Sequence, residues 1–187
     1  MARSPISRPV RSILSKALLS ALALVVMSGA SVAAESPRVA VLDFELVDLT
    51  LKPKTPEELQ RTASIRALLE QSLAARGYRI GRVDSQAQQQ ADAGAGYLFD
   101  RSDEAARLAG DRADWVIVGR LHKPSFLFAY LKAHVVDVKT GQLAGDLVVE
   151  VKGQQEKLTR RGVNSLAEQI DQTIKQTSSR EALHPSQ

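Results

Sequence analysis

The chain contains no cysteine, so it can form no disulfide, offers no thiol nucleophile and cannot be anchored through an acylated cysteine. Aromatic residues are scarce, four Phe, three Tyr and one Trp among 187 residues, so any local cluster of them stands out. The longest apolar run, Ala17–Met27 (ALLSALALVVM), is roughly half of the ~20 residues that a membrane-spanning helix needs. The formal charge of +4 also dissolves on inspection. Arg3, Arg8, Arg11 and Lys16 precede the first acidic residue, Glu35; without them the basic count falls to match the 21 acidic residues. Binding to nucleic acid or an anionic membrane needs clustered surplus positive charge, and beyond residue 34 the chain has no net surplus.

The feature that is present at the start is a leader. A basic beginning, a short apolar run and small residues at Ser31–Ala34 make residues 1–34 a secretory signal peptide, cleaved after Ala33 or Ala34. No Arg-Arg pair precedes the run, so the general secretory route and a periplasmic destination are expected, with no stable membrane anchor after cleavage. Residues 35–176 then form one domain and 177–187 a disordered polar tail.

Within that domain Val39–Leu46 (VAVLDFEL) reads as a buried strand. Thr55-Pro56-Glu57-Glu58 is a helix start, with Thr as N-cap, Pro at the first helical position and Glu three residues after the cap. Leu59, Thr62, Ile65, Leu69 and Leu73 follow on one face, and Gly77 ends the helix. Tyr78–Val83 is a second strand. SQAQQQADAGAG is a poorly ordered helix or loop broken by Gly94 and Gly96. Ser102-Asp103-Glu104 caps a short helix ending near Gly110, and Trp115–Leu121 is an apolar strand placed centrally.

Two further strands flank Lys139-Thr140-Gly141. A three-residue loop with Gly141 in the left-handed region sets Ala129, Leu131 and Ala133 opposite Val151, Val149 and Leu147, gathering the apolar set on one face. His134 then faces Asp146, and Phe128 faces Lys152. A last helix from near Glu156 buries Val163, Leu166, Ile170 and Ile174. The expected fold is α+β with α/β character: a single domain of order β-α-β-α-β-β-β-α, its mixed sheet of about five strands packed with two long helices.

VAVLDFELVD at the start, DWVIVGRLHKPS, HVVDVKTGQL at the hairpin and the late stretch KGQQEKLTRRGV resemble an αβ domain. That domain is shared by the N-terminal part of TolB, the curli secretion protein CsgG and the Lpo activators of penicillin-binding proteins. Within this group the chain is most similar to a family of secreted bacterial proteins defined only as a domain of unknown function. The resemblance runs across nearly the whole chain after the leader and rests on strand and turn chemistry, so it implies a fold and an envelope setting. The Lpo and CsgG proteins are lipoproteins; lacking the anchoring cysteine, this chain departs from that pattern.

Three candidate sites remain. Asp43, Glu45 and Asp48 crowd the end of the first strand, where open sheets bind ligands, and alternation puts Asp43 and Glu45 on one face. They could hold Ca²⁺ or Mg²⁺; the plainer reading pairs them with Lys52 or Lys54. His122 and His134 come out roughly 26 Å apart along a strand, too far to share an ion, and His184 falls in the tail. Phe126, Phe128, Tyr130 and Lys132 form an aromatic and basic row on the second face of the long strand, a composition typical of partner surfaces. A helix packed over this face would bury the row as core, the more ordinary arrangement; an open face would leave it for a partner. No G-x-S-x-G elbow or phosphate-binding loop is present, and no catalytic set or cofactor is expected. The expected function is that of a non-enzymatic periplasmic accessory protein contacting another cell-envelope protein, with a divalent-metal or small-ligand sensor using the acidic trio as the alternative.

Overall fold

The computed structural model describes residues 35–95, 97–153 and 156–183. Residues 1–34, read above as a leader, Gly96, Gln154, Gln155 and residues 184–187, with His184 among them, lie outside the described residues.

One six-stranded mixed sheet organises the domain. β1 (Arg38–Val41) pairs in parallel with β3 (Arg79–Gly81) on one side and β4 (Trp115–Lys123) on the other. β2 (Glu45–Asp48) also runs parallel to β4, and β5 (Phe128–Asp137) and β6 (Leu143–Lys152) complete the sheet as antiparallel neighbours. α1 (Pro56–Ala74) and α4 (Glu156–Leu183) cover one face. α2 (Ser85–Ala95) and α3 (Ser102–Ala109) lie on the other, with a 3-10 turn at Leu98–Asp100. β4 sits between β1 and β5, as its apolar sequence predicts.

Two cores follow from strand alternation. Val39, Val41, Ile117, Leu131, Ala133, Val149 and Val151 meet Ile65, Leu69 and Leu73 of α1 and Leu166, Ile170 and Ile174 of α4. On the other face Ala40, Leu42, Val116, Val118 and Val136 meet Leu98, Phe99 and the alanines Ala105, Ala106 and Ala109.

The first strand is not continuous. The ladder runs to Val41 opposite Ile117 and resumes at Glu45 opposite Arg120. Four steps on one strand thus match three on its partner, a bulge of one extra residue. After it every side chain changes face: Phe44 and Leu46 drop toward α1, and Glu45 turns away. The cause is local. Gly119 of β4 has no side chain, and the Phe44 ring fills its place so closely that a Cβ built on Gly119 would lie 2.2 Å from the ring.

α1 begins as its sequence predicts, with Thr55 and Glu58 exchanging side-chain bonds to each other's amides. Leu59, placed on the buried stripe by spacing, is instead half exposed, because Glu58 takes the inward position and reaches Lys123. The Gln-rich stretch folds as α2. α3 has Arg101, not Ser102, at its N-cap position, with no side-chain cap bond. The β5–β6 register is the expected one from Ala129–Val151 through Leu131–Val149 and Ala133–Leu147 to His134–Asp146, and Gly141 has φ +69°, but next to the turn it shifts by one residue, with Ala144 extra and Val136 opposite Leu143. The final helix runs on to Leu183, past the predicted start of a disordered tail at 177. Nothing between Thr177 and Leu183 breaks a helix, and Thr177 bonds back to the Thr173 carbonyl.

Candidate functional site

Helices pack against both faces of the sheet, but α2 and α3 cover only part of theirs. The aromatic and basic row is therefore neither core nor fully exposed. Phe128, Tyr130 and Lys132 project from β5 at intermediate exposure, and Phe126, in the loop before the strand, is 47% exposed. The long C-terminal helix lies on the opposite face, so it does not cover them.

Register shows what joins the row. Tyr130 sits beside His122 of β4 and Glu150 of β6, and Lys132 beside Arg120 and Val148. Phe128 and Tyr130 meet edge to face at 5.7 Å between ring centroids, and His122 stacks on Tyr130 at 6.5 Å. Burial, with Lys132 and Arg120 nearby, holds the His122 imidazole below its usual value, so it is neutral at neutral pH. Val148 is half exposed in the same patch, and Phe126 is capped by the Lys52 ammonium 4.6 Å from its centroid.

The rim of the covered half borders this patch. Phe99 stacks on His134 at 3.9 Å and carries the Arg120 guanidinium 3.9 Å above its ring. His134 donates from Nδ1 to the Phe99 carbonyl at 2.7 Å, and its Nε2 lies 3.5 Å from Asp146, the predicted cross-strand pair. In register His122 and His134 are four residues apart, roughly 13 Å along the strand rather than 26 Å. They still cannot share an ion.

The acidic trio is dispersed. Because of the bulge Asp43 and Glu45 do not share a face as alternation predicts. Asp43 pairs with Arg66 of α1 at 3.2 Å, and Glu45 pairs with Arg120 at 3.0 Å. Burial raises the Glu45 carboxyl above its ordinary value despite that arginine. The Asp48 side chain is enclosed beside Lys123, which also meets Glu58. Burial pushes the Asp48 carboxyl up, but hydrogen bonds from Thr50 and Lys123 outweigh it and hold it below the usual range. The cations are thus Arg66, Arg120 and Lys123, not Lys52 or Lys54. Among the described residues no three His, Asp or Glu side chains are placed to hold a metal.

A cavity of about 690 Å³ opens at the Trp115 end of β4, the far end of that strand from His122. Two ion pairs line it, Arg38 with Asp114 and Arg107 with Asp103.

Sequence reasoning missed His122, Arg120 and Val148 as members of the patch. The β5–β6 register already placed Val148 beside Lys132. Extending the same pairing to β4 would have found the other two, which needs the length of the Lys123–Leu127 connection and so a folded hairpin.

Fold and site together define an α+β domain with helices on both faces of a mixed sheet and one half of one face left open. Its sequence places it further: the chain belongs to the family described as a protein of unknown function (DUF2380), whose model, DUF3280, matches residues 37–170. No curated protein matches it. Among solved structures it is similar to lipoprotein GNA1162 from Neisseria meningitidis, at 14% identity over 72% of this chain and 96% of that one, with a TM-score of 0.44. It is also similar to the C-terminal domain of LpoB from Escherichia coli, at 18% identity over 67% and 90%, TM-score 0.43. A third is TolB from Acinetobacter baumannii, at 11% identity over 74% and 28%, TM-score 0.43.

Proposed function

We propose that this chain is a non-enzymatic accessory protein of the bacterial envelope, exported to the periplasm by the general secretory route, that docks another envelope protein on the open half of its sheet. The observation that carries this reading is the uncovered patch of Phe128, Tyr130, Lys132, His122 and Val148. Its mixture of aromatic area and both signs of charge, with Arg120 and Lys152 set against Glu45 and Glu150, suits a protein surface better than a polyanion. Packing on rigid strands also keeps these side chains ordered before a partner arrives, which lowers the entropic cost of docking. The envelope setting rests on the leader at 1–34.

Affinity capture from the periplasm after crosslinking tests the reading. The wild-type chain is expected to bring down a defined envelope protein, and a Phe128→Ala, Tyr130→Ala double variant to lose it while keeping its melting temperature within a few degrees. Equal capture by both proteins would overturn the assignment to this face. Mass analysis of the exported chain checks the leader, with Glu35 or Ala34 expected as the first residue.

A further inference from the structure

The two edges of the sheet are unlike. β3 closes one side with Arg79–Gly81 alone, whereas β6 presents Leu143–Lys152 on the other. Among the described residues β6 has β5 as its only strand partner, and α4 packs on its inner face, with Gly162 over Val151 and Thr173 over Gly145. An open edge presents unpaired N–H and C=O groups to any passing strand, and proteins guard such edges by shortness, proline, lysine or inward-pointing charge. β3 is guarded by its shortness. β6 has no proline, its one lysine stands at one end and its one bulge, at Ala144, near the other, and its inward side chains Leu147, Val149 and Val151 are apolar.

We propose that β6 pairs antiparallel with β6 of a second copy, about a two-fold axis at Val149. Such an axis sets each residue opposite its mirror in sequence and keeps the two sheet faces continuous, so few registers qualify. Centring on Val148 places Glu150 against Asp146 of the second copy, and centring on Glu150 places that carboxylate against itself. Centring on Val149 places Lys152 against Asp146 of the second copy, twice by symmetry, with Val148 against Glu150. On the helix side the same register sets Val151 against Leu147 of the second copy. Opposite charges directly across strands stabilise a pair and like charges weaken it, so this register is selected over its neighbours.

The helix above the edge permits the approach. Ser165, Gln169, Thr173 and Thr177 recur at every fourth residue of α4, half buried, on the side that Thr173 places over Gly145. None carries charge, so a second α4 can come alongside without burying an unpaired ion. The pairing uses the backbone edge of β6, whose Val148, Glu150 and Lys152 also border the docking patch on the sheet face, and joins two such patches into one two-fold surface.

Light scattering on the protein expressed from its full sequence and purified at tens of micromolar tests the pairing. The wild type is expected at twice the protomer mass. Asp146→Lys and Lys152→Asp should each weaken self-association by roughly tenfold or more, since each turns two attractive pairs into repulsive ones. The equimolar mixture of these two single variants, and the chain carrying both changes, should recover the dimer. The Phe128→Ala, Tyr130→Ala variant should stay dimeric whether or not it still captures a partner. A monomeric wild type, or a dimer indifferent to both charge reversals, would overturn the proposal. So would a dimer lost only in the aromatic variant.

Discussion

Lys123 is the residue on which most depends for its size. It is 4% exposed and holds two largely enclosed carboxylates, Asp48 and Glu58, at the point where β4 ends and α1 begins. Glu58 closes the capping box at the same time, so one carboxylate ties the helix start to the strand end. Lys123→Met removes the cation and leaves both carboxylates buried without it, which costs about 3 kcal/mol or more. The urea midpoint should fall accordingly with the slope unchanged. Asp48 adds a pH dependence. Its carboxyl lies below the ordinary value in the folded chain, so its contribution is complete above the unfolded value of ~3.9 and is lost as pH falls through the lower folded value. An Asp48→Asn variant is expected to be less stable at pH 6 and to lose less stability between pH 5 and pH 2. Unfolding curves that stay parallel across this range would count against the assignment.

At the scale of elements, the bulge between β1 and β2 decides more than its single residue implies. It puts Phe44 over Gly119 and sends Glu45 to Arg120, so it builds part of the core and part of the patch border together. Gly119→Ala is expected to destabilise by about 2 kcal/mol through overpacking, because the neighbour it meets is a packed ring. Phe44→Leu costs stability by itself but makes room, so in the double variant the two losses should sum to more than the measured loss. A double-mutant cycle in urea reads this coupling directly. Additivity within 0.3–0.5 kcal/mol would show that ring and glycine do not compete for the same space. The hairpin register was legible in the sequence because apolar residues alternate on both strands and Gly141 allows the turn. The bulge was not: VAVLDFEL alternates acceptably as one strand, and only a glycine far along the chain makes the interruption favourable.

For the whole molecule, charge balance beyond residue 34 predicts weak attraction to polyanions. The chain without residues 1–34 is expected to show no salt-dependent binding to duplex DNA at ~50 mM salt, where a protein neutralising several phosphates binds strongly. Retention on DNA that falls with salt would mean that the balanced charges segregate into a basic face. On the proposed reading, recognition rests on shape and placed side chains, at the open patch and the β6 edge.

The sequence by itself determined the capped first helix, the central apolar strand, the hairpin pairing and the composition of the aromatic row, because each depends on neighbours within one element or across one turn. It also carried enough of the family's strand and turn pattern to place the chain among proteins of unknown function. Only the tertiary structure decided which half of the sheet stays open, where the Asp43, Glu45 and Asp48 charges go, and that Lys123 is buried. Each of these depends on how far α2 and α3 reach across the sheet and on a one-residue shift between strands distant in sequence. Such outcomes are set by side-chain volumes meeting in the core and by the pairing of buried charges, which no local pattern encodes.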